Sequence, residues 1–231
     1  PRSPRAAAVG DRVEISAAGE RPSGQATALA LAGTLVAPPG AIACMVLLRH
    51  GQTVNNVRRV YSGWQNVALT DQGRQQARAA GEALEPTGIR FDQVETSALS
   101  RSEDTADEML QALHHPAVPA TASTALNERS YGQLEGQPYR ENWDDKTPPG
   151  GETPAQAEAR VIPYFDEHIR PELAAGKNVL VVAHYEPVQI LQRHVTGDEA
   201  AEPQNAVPEA YFFGPGGTLL SHTTVPLAGT R

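Results

Sequence analysis

The chain is poor in the features that staple or anchor a fold. It has one cysteine, Cys44, so no intrachain disulfide can form and no cysteine-rich metal site exists. A reducing cytoplasm is the compartment this suits. No apolar run is long enough to span a membrane. The nearest candidate, Ala28 to Ala43, is broken by Gly33, Thr34, Pro38, Pro39 and Gly40. It ends at Ala43-Cys44, faintly like a lipoprotein cleavage site, but a cut there would leave a single residue before a core strand. A basic excess is also missing: the net charge is −8, which argues against nucleic-acid binding. A few arginines can still make one pocket positive on an acidic protein.

What is present is 231 residues with 40% hydrophobic and 20% charged side chains, enough for one ordinary globular domain. Residues 1–44, rich in Ala, Gly, Pro and Arg, show no sustained periodicity and read as a flexible N-terminal extension. The domain is placed at residues 45–231. Met45 opens a strand-like run, Met45-Val46-Leu47-Leu48. Thr70-Asp71-Gln72-Gly73 reads as a helix entry, followed by an apolar face of Ala77, Ala80, Ala83 and Leu84. Phe91 to Thr96 reads as a short strand, and Ser100 as the cap of a helix carrying Ala106, Met109, Leu110 and Leu113. Thr153-Pro154 opens a helix with Ala157, Val161, Phe165 and Ile169 on one side. Asn178 to Ala183 has the continuous apolarity of a strand covered on both faces, and a helix follows through Ile190 to Val195. Tyr211-Phe212-Phe213, a Gly-rich turn and Thr218 to Thr224 suggest a closing hairpin. Strands alternating with helices predict an α/β fold, a three-layer α/β/α sandwich with a mainly parallel central sheet. A smaller lobe of inserted loops would lie over the active site.

Two predicted strands end in histidine: Val46-Leu47-Leu48-Arg49-His50 and Leu180-Val181-Val182-Ala183-His184. Ligands of open α/β sheets bind beyond the carboxyl ends of strands, so neighbouring strands would bring both histidines to one site. Singly, each histidine could be a satisfied core residue. A matched pair at strand ends, one flanked by Arg49 and Gly51, points to chemistry.

Leu48-Arg49-His50-Gly51-Gln52-Thr53 resembles the signature of the histidine phosphatase superfamily, in its phosphoglycerate-mutase-like branch. Further segments agree in order and spacing: Asn56, Ser62-Gly63-Trp64, Ser97 to Ser102 around Arg101, Glu128-Arg129-Ser130-Tyr131-Gly132, and Pro149-Gly150-Gly151-Glu152-Thr153. The resemblance runs from Met45 to about Val225. It implies phosphoryl transfer through a phosphohistidine on His50. Arg49, Arg101 and His184 would stand at the phosphoryl group, with Glu128 as general acid. Thr53, Asn56, Ser62, Gly63, Tyr131, Arg140, Tyr185 and Glu186 are the substrate-binding candidates. The chemistry fits these types. A neutral imidazole can attack phosphorus, guanidinium forks match phosphate oxygens, and one carboxyl can serve both halves of the reaction. No metal is expected.

Three departures bear on the substrate. The mutases carry a lysine shortly after the Tyr-Gly segment, where this chain has Tyr139 with Arg140 beside it. Their longer insert before the Pro-Pro-Gly-Gly segment, with adjacent arginines, is here the net acidic run 140–147. Their second histidine is followed by Gly and Asn; this chain has Tyr185 and Glu186. Glu186 either faces the pocket, repelling a second anion, or simply opens a helix at its positive end.

The expected function is therefore a metal-independent phosphatase acting on a small phosphorylated metabolite, without a cofactor. The alternative is a phosphoglycerate mutase, for which 2,3-bisphosphoglycerate would be the cofactor. A third reading is a non-catalytic relative that binds a phosphate ligand or a protein. The sequence allows a homodimer without requiring one. Trp64 and Trp143 are candidates for the pocket mouth, and His114-His115 for a helix end.

Overall fold

The computed structural model describes residues 35–115, 117–140 and 147–227. Six strands form one sheet in the order β3-β2-β4-β1-β5-β6. They are β1 (Ala43–Arg49), β2 (Gln93–Ser97), β3 (Ala120–Ser123), β4 (Val179–Ala183), β5 (Glu209–Gly214) and β6 (Thr218–Thr224). The four strands from β3 to β1 run parallel, and β5 and β6 add an antiparallel hairpin at one edge. Every residue of β4 is buried, as its unbroken apolarity required.

The alternation of side chains along β1 divides the core into two layers. Cys44, Val46 and Leu48 face helices α2 (Asp71–Leu84) and α3 (Ser100–Ala112). Ala43, Met45 and Leu47 face α4 (Pro154–Tyr164), α5 (Arg170–Ala174) and α6 (Tyr185–Thr196). The result is the three-layer sandwich with a mainly parallel sheet that the sequence predicts. Each large side chain in these layers contributes about 1.5–3 kcal/mol by leaving water.

Local signals explain most of the boundaries. Thr70 caps α2 by accepting from the Gly73 amide. Thr153 and Gln156 make a reciprocal capping box on α4, whose Pro154 costs no hydrogen bond in the first turn. A π-helical stretch, Phe165–Ile169, links α4 to α5 and keeps Phe165 and Ile169 in the core. Ser100 is not a cap. It is the first residue of α3, Leu99 holds the cap position, and the side chain of distant Asn66 accepts from the Ser100 amide. The strand expected from Phe91 begins at Gln93. At the other boundary, β1 starts at Ala43 and Leu35 is buried with Cys44 and Val46, so the packed body reaches back before Met45. Residues 1–34 lie outside the described residues, as do 141–146, including Trp143.

Loops between β1 and α2 and between β3 and α4 meet above the carboxyl ends of the parallel strands. Val60 bridges Pro138, and the backbones of Tyr61, Gly136 and Gln137 exchange hydrogen bonds. No described helix is long and apolar enough to cross a membrane.

Candidate active site

β1 and β4 are direct neighbours, with Arg49 opposite Ala183. His50 and His184 therefore leave the sheet side by side, their ring centroids 5.1 Å apart. The turn after β1 is held by close backbone approach. A side chain on Gly51 would put its Cβ 2.3 Å from the Gly73 carbonyl oxygen, so α2 can start against the turn only because both residues are glycine. The Gly51 amide donates to Thr105 Oγ1 on α3, and the Asn205 side chain donates to the His50 carbonyl.

Hydrogen bonding fixes the state of each ring. His50 Nδ1 lies 2.7 Å from the Gly51 carbonyl oxygen, which only accepts, so Nδ1 carries the proton. Nε2 is left with its lone pair. Burial, reinforced by Arg101 and then Arg49, holds the His50 pKa well below its ordinary 6.5. The ring is neutral, the form in which an imidazole nitrogen can attack. His184 is fully buried and neutral for the same reasons. Its Nδ1 accepts from Arg101 Nε at 3.1 Å, so its Nε2 carries the proton and faces Ser97 Oγ at 2.6 Å, with Ser102 Oγ at 3.3 Å. His184 thus stands behind Arg101, with both ring nitrogens on protein partners.

Arg101 is 1% exposed and donates to the Gly63 and Gln65 carbonyls as well as to His184. Burial brings its pKa down to about 10, which still leaves it charged at neutral pH. Gly63 is confined in turn, since a Cβ there would meet Glu135 Oε1 at 2.1 Å. Arg49 lies over the Tyr185 ring at 5.3 Å and donates from Nη1 to the Pro203 carbonyl. Its buried Nε has no acceptor among the described residues. A buried cationic donor in that state next to an open imidazole nitrogen is what an anion-binding site requires.

Glu128 approaches from the loop before α4. Its carboxylate accepts from the amides of Arg129, Tyr185 and Glu186, the last two being the first turn of α6. The positive end of that helix therefore holds it. Arg160 on α4 braces the loop by donating to the carbonyls of Ala125, Asn127 and Glu128 and pairing with Glu152. Trp64 Nε1 donates to the Glu128 carbonyl as well. Glu186 opens α6 and also points inward: its carboxylate pairs with buried Arg129. Its place in the first turn of α6 is the helix-opening position that the sequence offered for it. Burial, then the nearby Glu128 charge, pushes its pKa up to about 7. Arg129 also lies over the Tyr131 ring at 4.9 Å.

The remaining candidates fall into two groups. Thr53 caps α1 (Val54–Arg58) and shares a capping box with Asn56, whose Oδ1 is taken by the Thr53 amide and hydroxyl. Ser62 contributes its carbonyl to a turn with Gln65. Tyr131 and Tyr139 both pack on Tyr61. Tyr139 turns its hydroxyl toward Asn56, within the fields of Arg49 and Glu128. The backbone of Arg140 bonds the Tyr61 hydroxyl. Sequence reasoning missed Ser97 and Ser102, although both flank Arg101 in its motif, and Thr105, one helical turn beyond it. It also missed Arg129 and Arg160, and Asn205, which no motif marks.

Among the described residues, no group of three or more His, Cys, Asp or Glu side chains could hold a metal ion.

Comparison with known proteins agrees with this geometry. The family model of the histidine phosphatase superfamily (branch 1) matches residues 45–209. The 2,3-bisphosphoglycerate-dependent phosphoglycerate mutase of Bartonella tribocorum is 34% identical over 200 residues, 78% of this chain and 97% of that protein. Among solved structures, phosphoglycerate mutase from Bacillus anthracis superposes with a TM-score of 0.67 at 21% identity, covering 81% of this chain and 92% of that one. The α-ribazole phosphatase from Shigella flexneri does so with a TM-score of 0.66 at 25% identity, covering 80% and 95%. The fold is shared by mutases and phosphatases alike. The chain belongs to the histidine phosphatase superfamily.

Proposed function

We propose that the protein is a phosphatase that hydrolyses a small phosphorylated metabolite through a phosphohistidine on His50. The observation that carries this reading is the open Nε2 of a neutral His50 together with the buried Nε of Arg49, which has no acceptor among the described residues. In the first half, Nε2 forms a bond to phosphorus as the ester P–O bond breaks, and Glu128, which takes up a proton from solvent as the anionic substrate binds beside it, gives that proton to the leaving oxygen. In the second, Glu128 takes a proton from water, the water oxygen attacks phosphorus, the N–P bond breaks and phosphate leaves. Arg49 and Arg101 neutralise charge on the equatorial oxygens throughout. His184 serves by holding Arg101 in its orientation.

A second reading, a mutase primed by 2,3-bisphosphoglycerate, is favoured by the name of the Bartonella relative. A mutase must retain a doubly anionic intermediate while it reorients. The side chains beyond the phosphoryl pocket fit that ligand poorly: Tyr139 stands where a lysine would, and Glu186 brings a carboxylate. Fold likeness does not choose between the two.

The test is a panel of phosphate esters, including 2- and 3-phosphoglycerate, assayed with and without 2,3-bisphosphoglycerate. Phosphate release that is lost in His50→Ala, with no isomerisation, is the expected result. Isomerisation stimulated by the bisphosphate would overturn the ranking. Binding without turnover of any ester would favour a non-catalytic relative.

A further inference from the structure

The leaving-group end of the site has a charge balance opposite to that of the phosphoryl end. At the phosphoryl end Arg49 and Arg101 act on His50 and His184, and both histidines are neutral. On the other side, four carboxylates gather around the loop that carries Glu128. Glu128 sits on the first-turn amides of α6. Glu135 accepts from the Trp64 and Tyr131 amides and the Ser130 hydroxyl. Glu152 accepts from the Ser130 amide and pairs with Arg160. Glu186 pairs with Arg129. Two guanidinium groups, Arg129 and Arg160, stand against these four, so the region is net negative, and most so when Glu186 is ionised.

Glu186 is the member of this group that the first turn of α6 sets beside Glu128. Its own amide donates to Glu128 Oε1, so its side chain leaves α6 next to the proton-transferring carboxyl. It keeps 14% of its side-chain surface open, whereas Arg129, its partner, keeps 1%. Of this pair it is the carboxylate that keeps an open face, with the guanidinium buried behind it. Tyr139 and Tyr131, the neighbouring aromatic groups, add hydroxyls but no charge.

We infer that Glu186 is a specificity-determining residue: backed by Arg129 and placed beside Glu128, its carboxylate rejects leaving groups that carry a second anion. It accepts those that carry hydroxyls or an amine, to which a carboxylate is a hydrogen-bond acceptor. The substrate class is then a phosphate monoester of a polyol or amino alcohol. This rests on the phosphatase reading and deepens it.

The pH behaviour should follow. With Glu186 titrating near 7 under the fields of Glu128, Arg129 and Arg160, discrimination against an anionic leaving group is strongest above pH 7. It weakens as the carboxylate is protonated below pH 7.

Three esters of similar size test the inference: 3-phosphoglycerate, glycerol 3-phosphate and phosphoethanolamine. The first two differ in a carboxylate against a hydroxymethyl group. The wild-type protein should favour the second and third in kcat/KM. In Glu186→Gln, which keeps an oxygen for Arg129, the ratio of glycerol 3-phosphate to 3-phosphoglycerate should fall about tenfold. That is the order expected for one charge removed about 4 Å away where water screens it at a dielectric of about 80. The change should come mainly from KM for 3-phosphoglycerate, and Glu186→Asp should keep most of the preference. If Glu186→Gln does not fold, the wild-type ratio between pH 6 and pH 8 decides, since both substrates share the same phosphate titration. A ratio that rises with pH supports the inference. A ratio unmoved by the substitution, or flat with pH in the wild type, overturns it while leaving phosphate release intact. Failure to hydrolyse any of the three would instead strike the phosphatase reading.

Discussion

The two ends of the active site are built on different foundations. The phosphoryl end rests on the sheet: His50 and His184 follow adjacent parallel strands, and Arg101 lies in the first turn of α3 just beyond a third. Its side chains are buried, and each has a fixed partner. The leaving-group end rests on loops and on the start of α6, where Glu128, Tyr131 and Tyr139 come from one connection and Glu186 from another. Strand ends hold a constellation to sub-ångström tolerance, whereas loops can be rewritten without disturbing the sheet. The strand-end half and the Glu128 to Gly132 segment resemble the superfamily's motifs, whereas the departures from the mutases at Tyr139 and Glu186 lie in a loop and at the start of α6. On the proposed reading, reaction type and substrate choice are separable in one pocket.

Substitutions at each end should expose that separation. The largest effect is expected for Glu128→Gln on alkyl phosphates, roughly a thousandfold in kcat/KM. The loss should be much smaller on p-nitrophenyl phosphate, whose leaving oxygen needs no proton; steady-state rates on the two esters check this. Arg101→Lys keeps the charge but loses the fork that reaches Gly63, Gln65 and His184. It should cost about a hundredfold, and equally for every ester, since all share the phosphoryl group. An unequal loss would mean that the two ends are not separable.

The phosphoryl end should also leave a mark on stability. Both histidines stay neutral in the native state below their ordinary 6.5, so the unfolded chain binds protons that the folded one refuses. Stability therefore falls as pH drops through 6.5, by at most about 1.4 kcal/mol per pH unit for each histidine. Urea unfolding at pH 7.5 and 5.5 measures this slope, and His184→Asn should make it shallower. The smallest effect belongs to the loop end. Tyr139→Lys should improve KM for 3-phosphoglycerate only a few-fold, because Glu186 remains in place, and the double variant with Glu186→Gln should gain more than the sum of the two.

How much could be read from the sequence follows the same division. The three-layer sandwich, β4 and the α2 and α4 entries are legible because periodicity and caps act over a few residues. The meeting of His50 and His184 is legible because a strand-end rule turns sequence motifs into spatial neighbours. The Arg129–Glu186 pair is not legible, since its partners lie far apart in the chain and neither carries a periodic signal. Nor is the cap of α3, where Asn66 does from a distance what Ser100 was expected to do locally. The position of Leu35 escaped for a related reason: one apolar residue in a Pro- and Gly-rich stretch shows no pattern, yet it fills a place in the core.

The covalent step at His50 is the one on which the proposed reaction turns. Rapid acid-free quenching of the protein with a turning-over ester, followed by peptide mass spectrometry, detects a phosphoramidate directly. The prediction is a phosphoryl adduct on His50, absent in His50→Ala together with phosphate release. An adduct on another residue, or undiminished phosphate release by His50→Ala, would contradict it.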